Sequence, residues 1–106
     1  VTGVSVSFRD SKGAIDYRFV MTFDEICVLA ASRKREMPAG STTAALFEQG
    51  AHGIGKKLVE EAAESWMAAR FESREALAGE LSQVLYYVAC MMAEKGLAPE
   101  DVYRTL

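Results

Sequence analysis

The spacing of hydrophobic and polar positions changes once along the chain, near residue 20. Before that point Val4, Val6 and Phe8 alternate with Ser5 and Ser7, and Ile15, Tyr17 and Phe19 alternate with Asp16 and Arg18. A period of two predicts strands, and Asp10-Ser11-Lys12-Gly13 between the runs predicts a turn longer than two residues. The expectation is a β-hairpin, which needs something to pack on. The same pattern is compatible with Met21 as the functional start and residues 1–20 as an upstream extension.

From Thr22 the period becomes helical. Thr22-Phe23-Asp24-Glu25 is a capping-box sequence. Phe23, Ile26, Cys27 and Ala30 then recur at helical spacing, predicting a helix to about Arg35. Arg33-Lys34-Arg35 places cations at the negative end of its dipole. Pro38, Gly40 and Ser41 predict a loop. Residues 42–49 form a candidate short helix that Gly50 stops, and a long helix is expected over about 51–70. Ser73 is a good N-cap for a third helix running to Lys95, with Gly96 as its stop. Pro99, Glu100 and Asp101 open a short last helix. The chain thus reads as all-α, a small antiparallel helical bundle over residues 21–106, with an N-terminal extension over 1–20 that is a candidate hairpin.

The two long helices carry acids in a suggestive place. At about 100° per residue, Ile54, Leu58, Val59, Ala62 and Trp66 share one arc. Glu61 falls at its margin with Lys57, Glu64 lies about one sixth of a turn beyond, and Glu60 and Lys56 point further out. On the next helix Leu77, Leu81, Val84, Leu85, Val88, Met91 and Met92 form the arc. Glu80 sits at that margin, and Gln83 lies beyond it with the offset of Glu64. Packing the two faces together would bring four oxygen-bearing side chains to one end of the seam. Carboxylates beside a core repel one another, and a hard divalent cation relieves the repulsion. Oxygen-only donors point to magnesium, with manganese as the alternative. The plainer reading is that these acids are solvated or paired with Lys57 at helical spacing.

Composition narrows the function classes. The chain has 106 residues, half of them hydrophobic and a quarter charged, as in one ordinary globular domain. A net charge of −3 argues against bulk attraction to nucleic acid or to an anionic membrane. No apolar run reads as a bilayer span, and the N-terminus lacks a signal-peptide pattern. Cys27 and Cys90 lie far apart and read as buried thiols of a reducing cytoplasm. With His52 as the sole histidine, a Cys/His zinc site is not expected, and nothing around it supports a Ser-His-Asp arrangement. A helical chain this small gains core by dimerising.

The run Lys56-Lys57-x-x-Glu60-Glu61-x-x-Glu64, followed by Glu80-Leu-Ser-Gln83-Val-Leu-Tyr-Tyr87, resembles the phosphoribosyl-ATP pyrophosphohydrolase family of the MazG-like all-α group. The resemblance extends from about Thr22 to Leu106 and includes Gly40 to Leu46, Glu94 to Leu97 and Asp101 to Tyr103. It implies a homodimeric, magnesium-dependent enzyme of histidine biosynthesis. The reaction implied converts phosphoribosyl-ATP to phosphoribosyl-AMP and pyrophosphate. The family's acidic pattern, Glu-x-x-Glu then Glu-x-x-Asp, falls on Glu61, Glu64, Glu80 and Gln83, the last departing from the commoner aspartate. A glutamine still offers an amide oxygen but removes one charge. In this reading Glu61, Glu64 and Glu80 hold the metal, with Gln83 as a weak fourth ligand, and one of the acids, or Glu60, orients the water. Lys57 and Lys56 face the polyphosphate. Arg33, Lys34 and Arg35, with Ser41 and Thr42, are candidates for further phosphate contacts, against the simpler roles of charged helix end and helix cap. Trp66, Tyr86 and Tyr87 either stack on the purine or pack in the core or a dimer seam. Two other functions fit the pattern: a MazG-like pyrophosphohydrolase acting on another nucleotide, and a non-catalytic helical dimer.

Overall fold

The computed structural model describes residues 4–9, 15–37 and 39–106, giving the backbone alone for residues 4–9 and 15–20. Strands β1 (Val4–Arg9) and β2 (Ile15–Val20) pair antiparallel, with Val4 opposite Val20 and Arg9 opposite Ile15. The expected Asp10–Gly13 turn and the loop proline Pro38 lie outside the described residues.

Four helices follow: α1 (Phe23–Glu36), α2 (Thr42–Phe71), α3 (Arg74–Lys95) and α4 (Pro99–Tyr103). Their ends are set by local chemistry. The Thr22 hydroxyl accepts from the Glu25 N–H at 3.2 Å while the Glu25 carboxylate accepts from the Thr22 N–H at 3.3 Å, which closes the expected capping box. Helix α1 ends at Met37, left-handed at φ 47°, whose N–H bonds the Arg33 carbonyl at 2.8 Å. Ser41 and Ser73 cap α2 and α3 through their hydroxyls. Gly96, at φ 70°, closes α3. The Asp101 carboxylate accepts from the Ala98 N–H at 2.8 Å and starts α4.

Helix α2 is broken at Gly50, where φ is 72° and ψ −160°. Only glycine adopts that conformation readily. The break separates a first segment, buried through Leu46 and Phe47, from the long second segment that carries the acids.

Helix α3 is the hub and packs against both α1 and α2. The core gathers Ala30 of α1, Phe47 and Ile54 of α2, and Ala89, Cys90 and Met92 of α3. Both cysteines are free and buried, as expected.

Three sequence-based expectations need correction. Val59 and Trp66, placed on the buried arc of α2, are 69% and 67% exposed, and Ala62 is exposed as well. Leu81 and Leu85 of α3 are also largely exposed. The reason is geometric. On α2 the covered face runs through Ile54, Ser65 and Ala68, and Val59 and Trp66 lie roughly 100° or more round the helix from it. On α3 the residues gathered into the core with α1 are Ala89, Cys90 and Met92, which leaves Leu81 and Leu85 uncovered. Third, α3 is long and apolar enough to cross a bilayer by length and composition alone. It packs against α1 and α2 here, although little of it is fully buried.

Candidate active site

The acidic cluster forms where the α2 and α3 faces meet. Carboxylate oxygens of Glu61 and Glu64 on α2 and of Glu80 on α3 lie within 4.8 Å of one another. Glu61 and Glu80 are half-buried and Glu64 is exposed. The 61–64 spacing sets two acids on adjacent positions of one helix surface, and antiparallel packing brings Glu80 opposite them. Three anions this close cannot all stay ionised. Hydrogen bonding to Glu61, and then to Glu64, pushes the Glu80 carboxyl up from 4.5 to about 7, with desolvation and the neighbouring charges adding to the shift.

Lys57 does not neutralise this group. Its ammonium donates to Glu60 at 3.4 Å, three residues along the same helix, and that hydrogen bond raises its pKa. Pairing with Glu61 or Glu64, the plainer alternative, is not what the side chain does. Glu60 is exposed and lines the surface beside the cluster. The Tyr87 phenol feels Lys57 and Glu61 in opposite senses, while burial, the larger effect, raises its pKa.

Two cavities flank the acids. One, of about 240 Å³, is lined by Thr42, Gln49, Gly53, Lys56, Lys57 and Glu60. The other, of about 400 Å³, is lined on its polar side by Arg33, Thr42, Thr43, Gln83, Tyr86 and Tyr87. Thr42 borders both. A wider groove of about 540 Å³ runs over Ala51, His52, Gly55, Lys56, Val59 and Glu60 and takes in none of the three acids.

The other expected site residues fall as follows. Gln83 is exposed and lines the larger of the two flanking cavities, one turn from Glu80. Ser41 uses its hydroxyl to cap α2, accepting from the Ala44 N–H at 3.2 Å. The basic run at the end of α1 is divided. Arg33 turns into the cavity, Arg35 is exposed, and Lys34 turns away toward α3. The Lys34 ammonium donates to the Ala93 and Glu94 carbonyls at 3.4 and 3.2 Å and pairs with the Glu94 carboxylate at 3.4 Å. It serves the carbonyl end of α3, a structural role.

Two residues on the cavity wall had no assigned polar role. The Tyr86 hydroxyl accepts from Arg33 Nη1 at 2.7 Å and lies 2.9 Å from Thr43 Oγ1. The Arg33 guanidinium also sits over the Tyr86 ring, 5.5 Å from its centroid. Arg33 and Tyr86 are separated by 53 residues, and no periodicity links them.

An all-α bundle whose two long helices join three carboxylates, next to cavities bearing lysine and arginine, has the parts a helical phosphoanhydride hydrolase requires. The phosphoribosyl-ATP pyrophosphohydrolase family model matches residues 25–106, and the chain belongs to that family. The match takes in nearly all of α1 and the whole of α2, α3 and α4, and leaves β1 and β2 outside it. The family is one of hydrolases that act on phosphoric anhydrides.

Proposed function

We propose that residues 21–106 hydrolyse phosphoribosyl-ATP to phosphoribosyl-AMP and pyrophosphate, as a cytoplasmic, homodimeric enzyme of histidine biosynthesis. The observation that carries this reading is the meeting of Glu61, Glu64 and Glu80, with Glu80 held up at about 7 by its neighbours. An acid in that state exchanges its proton for a cation readily. The donor set is all oxygen, which fits magnesium first and manganese second.

In this mechanism Glu61, Glu64 and Glu80 would hold the ion, with the amide oxygen of Gln83 as the fourth candidate donor. The ion, when bound, neutralises charge on the phosphate oxygens at the anhydride. Lys57 and Lys56 line the cavity beside the acids and draw the polyphosphate into it. A carboxylate of the group, or Glu60, orients a water toward the α-phosphorus and accepts its proton. The P–O bond to the β-phosphate breaks, and pyrophosphate leaves with that bond's electrons.

Exposed Val59 and Trp66, on one side of α2, support the homodimer, because a second copy laid on that side removes them from water. The decisive assay is pyrophosphate release from phosphoribosyl-ATP with and without magnesium, alongside a panel of nucleoside triphosphates. Turnover of phosphoribosyl-ATP only with metal is expected. Faster turnover of an ordinary triphosphate would move the assignment to another nucleotide.

A further inference from the structure

The two cavities beside the acids hold different kinds of cation. Lys56 and Lys57 are flexible amines on the long segment of α2. Arg33 is fixed: its Nη1 donates to the Tyr86 hydroxyl at 2.7 Å, its Cζ lies 5.5 Å from the Tyr86 ring centroid, and Thr43, itself buried, holds the same hydroxyl at 2.9 Å. A guanidinium fork aligned in advance binds a phosphate group bidentately with little further loss of freedom. The remainder of that cavity is part polar, through Thr42 and Gln83, and part apolar, through Ile26 and Leu29. That mixture matches a sugar carrying a phosphate.

The proposed substrate has two anionic ends. One is the triphosphate chain; the other is the phosphate on its second ribose. The bond to be broken lies in the triphosphate chain, which must therefore reach Glu61, Glu64 and Glu80 and the lysines beside them. The second cavity shares Thr42 with the first and is lined by Gln83, one turn along α3 from Glu80, so it adjoins the place where the bond breaks. We infer that the Arg33 cavity takes the singly phosphorylated ribose of phosphoribosyl-ATP, and that Tyr86 is the positioning residue that aims Arg33 at its phosphate. This rests on the substrate proposed above. It makes the Arg33–Tyr86–Thr43 group the part of the protein that distinguishes phosphoribosyl-ATP from ATP.

The test compares phosphoribosyl-AMP, which keeps the phosphoribosyl arm, with AMP, which lacks it. Both are titrated calorimetrically onto the wild-type protein and onto Tyr86→Phe, which keeps the ring and removes only the hydroxyl. The wild type is expected to prefer phosphoribosyl-AMP by about tenfold or more. In Tyr86→Phe the preference falls to within about twofold, while AMP affinity, which also reports folding, is unchanged. Arg33→Lys, which keeps the charge and removes the fork, narrows the preference in the same way. In steady state, Tyr86→Phe raises KM for phosphoribosyl-ATP about tenfold and leaves kcat within about twofold, the signature of lost substrate binding. Equal wild-type affinity for the two nucleotides, or a Tyr86→Phe protein that keeps the full preference, overturns the inference. Wild-type turnover of phosphoribosyl-ATP in the same preparation separates the two failures. With turnover present, a missing preference sinks the arm site alone; with turnover absent, the substrate assignment falls and the inference with it.

Discussion

A carboxyl group crowded by two others relieves the crowding by holding a proton or by sharing a cation. Glu80 is in that position, and two outcomes follow. Glu80→Gln should cut metal-dependent pyrophosphate release by about a hundredfold or more with the helical circular-dichroism signal intact; retained turnover would remove Glu80 from the mechanism. In chelator, the folded protein keeps a proton on Glu80 that the unfolded chain, at 4.5, releases earlier. The stability associated with that proton is therefore fully present below pH 4.5 and is lost as pH rises through about 7. Melting temperature in chelator should fall across that window in the wild type and less steeply in Glu80→Gln; parallel profiles would contradict the shift. Gln83→Asp adds a charge beside the same group and should leave magnesium affinity equal or tighter, with weaker calorimetric binding as the contrary result. At this scale the sequence was informative where helical periodicity applied. Glu61 and Glu80 sit at matching margins because each shares a face with apolar neighbours one turn away. The choice of Glu60 by Lys57, and the bond from Arg33 to Tyr86, depend on rotamers and tertiary placement that no periodicity encodes.

At the scale of elements, the chain announces its helix ends through side chains that satisfy loose backbone groups. Thr22 with Glu25, Ser41, Ser73 and Gly96 each sit where an N–H or carbonyl lacks a helical partner, so the expected boundaries lie within a residue or two of those observed. Gly50 is the break that sets the direction of the long α2 segment bearing Lys56, Lys57, Glu61 and Glu64. A β-carbon there would meet nothing closer than the Glu94 carboxylate at 3.8 Å, so backbone strain, not lack of space, opposes substitution. Gly50→Ala should cost about 1–3 kcal/mol of stability by chemical denaturation; an unchanged midpoint would show that the break tolerates a side chain. The basic run at the end of α1 was legible as charge but not as three separate jobs. Only packing decides that Arg33 enters the cavity while Lys34 reaches the carbonyl end of α3.

For the whole molecule, a helix surface can be hydrophobic without being buried in its own chain. The apolar positions of α2 were readable, yet Val59 and Trp66 face outward because the helix turns its Ile54, Ser65 and Ala68 side inward. A single sequence encodes which positions avoid water and is silent on whether the same chain or a second copy covers them. The proposed homodimer has Trp66 in its seam, so Trp66→Lys should shift sedimentation toward the monomer and weaken self-association at least about tenfold; an unchanged dimer would move the interface elsewhere. The account as a whole depends on one shared cation between α2 and α3, and a calorimetric titration of magnesium onto the wild type and Glu80→Gln at neutral to mildly alkaline pH tests it most directly. Saturable binding by the wild type that disappears in Glu80→Gln is the predicted result. Identical isotherms for the two proteins, or no saturable binding by either, would contradict it.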